Sequence, residues 1–172
     1  MAERGGLEST EGLTIRPALE TDFEALVDLD LSSAAHHARL DPAFYRVPER
    51  GAVAAFLERR LADPDREVLV AEIGGRVVGM VDLTAQEIPD PGSIIRPIPS
   101  ADIGISVAED WRGMGIGHAL MEAAESRAWA RGAQLVVLDM SAENRDALRF
   151  YRARGYREFG LFLRRGLTDG DV

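Results

Sequence analysis

Apolar residues in this chain alternate in short runs or recur every three to four positions, which predicts a sheet combined with helices. The clearest element is a β-hairpin, because two apolar runs flank the tight-turn pair Gly74-Gly75. Strands are predicted at 13–16, 67–73, 76–84, 101–107 and 135–140, with one or two closing strands within 156–167. Helices are predicted at 21–31, with Thr21 as N-cap, and at 49–62, 115–131 and 144–154.

Two segments lack such a pattern. Residues 33–48 are expected to be irregular, and residues 86–100, which contain four prolines, are expected to form a long loop. No linker separates two domains. The order of elements therefore predicts one domain over 13–167, of the α/β (mixed α+β) class, with helices on both faces of a mixed sheet. A disordered polar tail is predicted at 1–12 and a second tail at 168–172.

The charges of this 172-residue chain are unevenly spread around a net charge of -9. Residues 1–110 carry 10 Arg against 21 acidic residues, whereas residues 111–165 carry 10 Arg against 6. An acidic first part and a basic later part suit a cationic acceptor and an anionic cofactor, although a generic acidic surface gives the same totals. The net negative charge makes nucleic acid an unsuitable partner.

Residue types that are absent narrow the chemistry further. The chain has no cysteine and no lysine, which excludes disulfides, a cysteine nucleophile, a lysine Schiff base and a P-loop lysine. No apolar stretch approaches the roughly 20 residues of a membrane span, and residues 1–12 lack the apolar centre of a signal peptide. We therefore expect a cytoplasmic protein with no membrane partner.

One turn carries the strongest chemical signal. The predicted strand 101–107 leads through Glu109 and Trp111 into Arg112-Gly113-Met114-Gly115-Ile116-Gly117-His118 at the start of a helix. Glycines at alternate positions let the backbone approach a ligand, and the free N–H groups of a helix start attract an anion such as pyrophosphate. The dinucleotide-binding pattern fits less well, since it needs a third glycine where His118 or Leu120 stands. Tight helix–sheet packing is the alternative use of these glycines.

In these residues the chain resembles the GNAT superfamily of N-acetyltransferases. Arg112-x-x-Gly115-x-Gly117 fits the family's Arg/Gln-x-x-Gly-x-Gly/Ala signature, although Glu109 stands where proline is common. A second block fits as well, with Asn144, Ala147, Phe150-Tyr151 and Gly155-Tyr156. The resemblance implies a mostly antiparallel central sheet that splays between its fourth and fifth strands. It also implies acetyl-CoA as cosubstrate and no metal.

The resemblance assigns roles to individual residues. Backbone groups of Ile105 and Val107 would pair with the pantetheine arm, and Tyr151 would protonate the departing thiolate. Asn144 would hydrogen-bond the cofactor. The pyrophosphate would be held by the amides of Arg112, Gly113, Met114, Gly115, Ile116, Gly117 and His118.

Structural roles remain open for several of these side chains. Asn144 could instead cap its helix, and Tyr151 could be a half-buried core aromatic. Arginines on the last helix could neutralise the 3′-phosphate of CoA or form a solvated face; they are Arg145, Arg149 and Arg152. His36 and His37 could face the acceptor or lie on the surface.

The implied reaction is direct attack of an amine of a small molecule or peptide on the thioester in a ternary complex. The general base is not determined by any motif. Asp102 ranks first, followed by Glu72, Asp82 and Glu87, and each of them could be an ordinary surface carboxylate. Two other functions remain open, namely transfer of a longer acyl group and an acyl-CoA-binding module without turnover. A short C-terminal segment after Gly155 suggests an incomplete sheet edge and hence a possible homodimer.

Overall fold

A computed structural model of the chain describes residues 12–165. The predicted tails lie outside this range except for Gly12, and so do the last two residues of the predicted closing strands. Two 3₁₀ turns, Glu20–Asp22 and Glu109–Trp111, accompany the regular elements. These elements are β1 Thr14–Pro17, α1 Phe23–Leu40, α2 Arg50–Leu61, β2 Arg66–Ile73, β3 Arg76–Ala85, β4 Ser100–Val107, α3 Ile116–Ala130, β5 Leu135–Val137 and α4 Arg145–Ala153.

The strands form one mixed sheet in the order β1-β2-β3-β4-β5. All neighbouring pairs are antiparallel except β4 and β5, which run parallel. β4 pairs with β5 only from Ser100 to Asp102 and then continues to Val107 with β3 as its sole neighbour among the described strands. The predicted fold class and the splay between the fourth and fifth strands are therefore confirmed.

Helices cover both faces of the sheet, and each face has its own core. Because side chains alternate along a strand, Leu69 and Val81 point to the side of α3, whereas Val70 and Met80 point to the side of α1 and α2. On β4 the odd-numbered side chains belong to the α3 side. Ser106, at an even position, donates its hydroxyl to the Leu29 carbonyl of α1 at 3.3 Å.

The first helix differs from its prediction at both ends. It extends to Leu40 instead of ending at Leu31, because the alanine-rich segment after Leu31 favours helix until Pro42. Thr21 is not its N-cap, since it lies within the preceding 3₁₀ turn. Asp22 instead accepts from the Leu19 amide at 2.7 Å and binds the Arg16 guanidinium at 2.6 Å.

The C-terminal strands also differ from prediction. β5 stops at Val137 rather than at residue 140, and residues 156–165 contain no regular strand. A strand needs a hydrogen-bonding neighbour, and none lies beside these segments in the described part of the chain. The prediction of closing strands, which rested on apolar content alone, is therefore wrong for 156–165.

Candidate active site

β4 has one edge fully paired with β3. At the ends of this ladder the Gln86 amide donates to the Ser100 carbonyl at 2.8 Å, and the Ala108 amide donates to the Val78 carbonyl at 2.9 Å. Hydrogen-bonded positions alternate along an antiparallel pair. The even-numbered residues of β4 therefore bond to β3, and the odd-numbered residues direct their N–H and C=O groups to the opposite edge.

That opposite edge opens into a gap. β5 reaches only as far as Val137, the partner of Asp102, so the backbone groups of Ile105 and Val107 face the gap without a neighbouring strand. The resemblance had named Ile105 and Val107. The observed register, which shows where β5 ends, places both of them in the gap.

A glycine turn follows at the end of β4. Gly113 and Gly115 have φ values of 77° and 84°, a region that favours glycine, and no atom lies within 4 Å of where their Cβ atoms would be. The first helical hydrogen bond of α3 is donated by the Ala119 amide to the Gly115 carbonyl at 3.1 Å, and the amides that precede Ala119 in α3 have no such acceptor among the described residues. Within residues 12–165, the amides of Gly113, Met114, Gly115, Ile116, Gly117 and His118 thus remain available to a ligand.

Arg112 differs from the other turn residues. Its amide donates to the Glu109 carbonyl at 3.2 Å, and its side-chain Nε donates to the Val107 carbonyl at 3.0 Å. The prediction that the Arg112 amide binds pyrophosphate is therefore wrong for this conformation. The guanidinium instead braces the turn against the end of β4.

Asn144 lies at the N-terminus of α4. Its side-chain Oδ1 accepts from the Ala147 amide at 3.1 Å, the bond expected of an N-cap. The structural role left open for this residue is thus present. Its side-chain NH₂ group remains a donor, so capping is compatible with a cofactor contact.

Tyr151, on α4, is buried on the α3 side of the sheet with 9% of its surface exposed. It belongs to the same packed cluster as Ile103 and Ile105, and its ring contacts those of Phe150 and Tyr156. Burial, followed by the nearby charge of Asp139, raises the pKa of Tyr151 to about 12. The phenol is therefore protonated at neutral pH and able to donate a hydrogen bond.

Asp102 lies on the opposite side of the sheet, facing α1 and α2. Burial raises the pKa of Asp102, and the charges of Asp139 and Asp82 raise it further, whereas Arg66 lowers it. A carboxylate with a raised pKa is a stronger base. In the described residues Asp102 has no arginine partner within ion-pair distance, which leaves the carboxylate free to take a proton.

Asp139 is a site residue that the sequence analysis missed. It follows the end of β5 by two residues, and its charge raises the pKa values of both Asp102 and Tyr151. Its charge therefore affects both the base candidate and the acid candidate. Its place just after the apolar strand that borders the gap was the available signal.

A scan for known families finds one that agrees with this geometry. The model of the acetyltransferase (GNAT) family matches residues 32–156. The chain belongs to the GNAT acetyltransferase family. The match includes the gap, the glycine turn, Asn144 and Tyr151, and it identifies the chain as an acyltransferase domain.

Curated relatives of this GNAT domain act on different amines. The aminoalkylphosphonate N-acetyltransferase of Salmonella typhimurium is 35% identical over 57% of the chain and 61% of its own length. The mycothiol acetyltransferase of Pseudarthrobacter chlorophenolicus is 28% identical over 88% of the chain and 44% of its own length. The chain thus spans about half the length of these curated relatives.

A solved structure supports the same fold. The aminoglycoside N-acetyltransferase AAC(6')-Iy, in complex with CoA, superimposes with a TM-score of 0.66 at 21% sequence identity. The alignment covers 98% of this chain and 100% of that chain. At this level of identity the likeness establishes the fold alone.

The other carboxylates proposed as GNAT base candidates have different surroundings. Glu72 binds Arg16 at 2.6 Å, and Glu87 is exposed in the proline-rich loop. Asp82 is buried and pairs with Arg60 at 2.7 Å and with Arg66. These contacts leave Asp102 as the candidate that the structure favours.

The remaining charged candidates lie mainly on surfaces. Arg149 pairs with Asp146 and Arg152 with Glu158, as expected of a solvated helix face. His36 and His37 lie on α1, not in an irregular segment as predicted. Burial, and then the positive charge of Arg112, lowers the pKa of His36.

Two surface cavities lie away from the gap. One of about 680 Å³ is bounded by the proline-rich loop, between Glu87 and Pro97, and one of about 190 Å³ lies near Ala101 and Ala128. We place the site at the gap because the unpaired backbone groups and Tyr151 are there. Among residues 12–165, no three His, Asp or Glu side chains form a metal-binding group. In the same part of the chain, no helix combines the length and apolar character needed to cross a membrane.

Proposed function

We propose that this protein transfers the acetyl group of acetyl-CoA to an amine of a small molecule or peptide. The observation that carries the proposal is the gap, where unpaired backbone groups of β4 lead from Tyr151 to an open glycine turn. Pantetheine would add to β4 as a strand would, through the backbone groups of Ile105 and Val107. The pyrophosphate would bind the amides of Gly113 to His118, and the Asn144 side-chain NH₂ would donate to the pantetheine arm.

The two faces of the sheet suit a direct attack. The cosubstrate enters from the side of α3 and α4, and the amine approaches from the side of α1 and α2, where Asp102 lies. The amine nitrogen bonds to the thioester carbonyl carbon, the carbon–sulfur bond breaks, and the sulfur leaves as thiolate. Asp102 accepts the proton that the amine loses, and Tyr151 donates to the departing sulfur.

The base has a defined energetic task. An alkyl amine with a pKa of about 10.4 must lose a proton at pH 7, which costs roughly 4.6 kcal/mol. A carboxylate with a raised pKa takes that proton more readily than an ordinary aspartate does. Asp102 and Asp139 together also attract the cationic form of the amine to the gap before it reacts.

The charges on this face favour a cationic acceptor. Asp30, Asp82 and Asp102 lie on the α1 and α2 side, where Arg60 pairs with Asp30 and Asp82, and Arg66 pairs with Asp82. Burial raises the pKa of Asp30, the charge of Arg60 lowers it and the charge of Asp82 raises it, and Asp102 has no arginine within ion-pair distance in the described residues. Amines with several positive charges, such as polyamines and aminoglycosides, are therefore the proposed acceptor class.

The first experiment is CoA release from acetyl-CoA, followed with a thiol reagent across a panel of amines. The chain has no cysteine, so the enzyme adds no thiol signal. We expect release with polyamines or aminoglycosides and much less with amino acids or arylamines. Saturable acetyl-CoA binding with no release on any amine would favour a binding module. Longer acyl-CoA donors in the same assay would decide the acyl preference.

We also propose that the protein forms a homodimer through its C-terminal segment. Apolar side chains there are almost fully exposed, and the outer edge of β5 has no partner strand within residues 12–165. An unpaired edge beside an apolar segment favours pairing with a second copy. The exposed residues are Phe159, Leu161, Phe162 and Leu163. Light scattering at micromolar concentration should give twice the monomer mass, and a monomeric mass would refute the dimer.

A further inference from the structure

A buried arginine joins the end of α4 to the start of α3. The side chain of Arg154 is 9% exposed, and its Nη2 donates to Glu125 at 2.8 Å. Its Nη1 lies 2.8 Å from the His118 ring nitrogen Nδ1 and 3.5 Å from the His118 backbone oxygen. Tyr156 donates to the other oxygen of Glu125 at 2.9 Å. The reaction proposed above does not use this cluster.

The contact with Arg154 determines where the proton of His118 lies. A guanidinium can only donate, so His118 Nδ1 must accept. The ring proton is therefore on Nε2, which becomes a donor. His118 is exposed and lies in the first turn of α3, beside the free amides of the glycine turn. The arrangement provides a side-chain donor next to backbone donors.

Arg154 is the C-cap of α4, where a cation is favoured, but it also lies beside the first turn of α3. A cation beside the positive N-terminal end of a helix is repelled by the helix dipole. Glu125 is the one carboxylate paired with Arg154 in the described residues, and Tyr156 already shares it. The Nε of Arg154 is buried and has no hydrogen-bond partner there. A phosphate at the turn would offset the repulsion between Arg154 and the start of α3.

We propose that Arg154 is a positioning residue that holds His118 as an Nε2–H donor to a phosphate group of the cofactor. The proposal rests on the proposed binding of acetyl-CoA. It adds a side-chain contact from His118 to those of the backbone amides, and it gives Arg154 a role that neither family motif assigns. Cofactors that carry phosphate should depend on Arg154, and pantetheine, which carries none, should not.

Calorimetric binding of CoA, dephospho-CoA and pantetheine tests this dependence. Arg154→Lys keeps a cation for Glu125 but cannot bond Glu125 and His118 together, so CoA affinity should fall by about 10-fold, the loss of about one charge-assisted hydrogen bond. Pantetheine affinity should not change. A loss shared by CoA and dephospho-CoA would assign the pyrophosphate, and a loss with CoA alone would assign the 3′-phosphate. Equal losses on all three ligands, or no loss on any, would overturn the proposal.

His118 variants give an independent route if Arg154→Lys folds poorly. His118→Gln places an amide donor near the position of Nε2 and should keep CoA affinity, whereas His118→Asn places its amide near Nδ1 and should lose it. Arg154→Lys should then have little further effect in the His118→Gln protein. Equal affinities of the Gln and Asn variants would contradict the proposed role of Nε2.

Arg127→Lys is the matched control. Arg127 lies at the other end of α3 and pairs with Glu67 at 3.1 Å, so its replacement should leave all three affinities unchanged. If the wild-type protein binds no CoA, the proposed function fails first. If it binds CoA and the variants do not follow the pattern above, only the role of Arg154 fails.

Discussion

Replacing Tyr151 by Phe removes one hydroxyl from the proposed site and keeps the buried ring. A positioned acid contributes about 10²–10⁴ in rate, or roughly 2.7–5.4 kcal/mol of barrier. With a pKa of about 12, the phenol is a weaker acid than an ordinary thiol of about 8.5, so the lower end applies. We expect kcat to fall about 10²-fold with little change in acetyl-CoA affinity.

The structure predicts a different outcome for stability. Tyr151 keeps its contacts with Phe150 and Tyr156 through the ring, so the free energy of unfolding should change by less than about 0.5 kcal/mol. The control, Tyr156→Phe, breaks the bond to Glu125 and should lose about 1–2 kcal/mol of stability while keeping kcat at saturating acetyl-CoA.

The assay is CoA thiol release at saturating acetyl-CoA, combined with thermal unfolding. An undiminished kcat in Tyr151→Phe would remove Tyr151 from the mechanism. A loss that appears only as weaker acetyl-CoA binding would make it a binding residue. A large drop in melting temperature would show that the hydroxyl supports the fold.

Three further substitutions test the site. Asp102→Asn should lower kcat/KM by about 10²–10⁴, and a pH profile of the variant should lack the fall of activity at low pH. Because the folded-state pKa of Asp102 is raised, the stability of the wild type declines as pH rises through that pKa, so the variant should be the more stable protein at neutral pH and equally stable below the pKa of the unfolded state. A wild type that is more stable than the variant at neutral pH would contradict the direction of the pKa shift. Gly115→Ala forces an alanine to φ 84°, so the variant should lose about 1–2 kcal/mol of stability and bind CoA more weakly in calorimetry. The control Gly51→Ala, within α2, should be neutral or stabilising. Equal effects of the two substitutions would contradict the role of the positive φ at Gly115. Asn144→Ala should lower the free energy of unfolding by about 1 kcal/mol in denaturant, and Asn144→Asp should restore it because aspartate also caps a helix. If Asn144→Asp also has the wild-type KM for acetyl-CoA, Asn144 only caps the helix.

The sequence by itself determined most of the elements and the glycine turn. The hairpin at Gly74-Gly75 and the glycines at 113 and 115 are local features, because a tight turn or a positive φ depends on the residue that occupies the position. The family motif added Tyr151 and Asn144. Local pattern misjudged α1, since an alanine-rich segment continues a helix without an apolar stripe.

The tertiary structure decided which groups meet. The gap exists because β5 ends at Val137 while β4 continues, and strand register is a long-range property that no local pattern encodes. Asp139 and Asp102 become neighbours across that pairing, and Arg154 reaches His118 only because α4 packs across the start of α3. Burial and charge then raise the pKa values of Asp102 and Tyr151, and both effects depend on distances in space rather than along the chain.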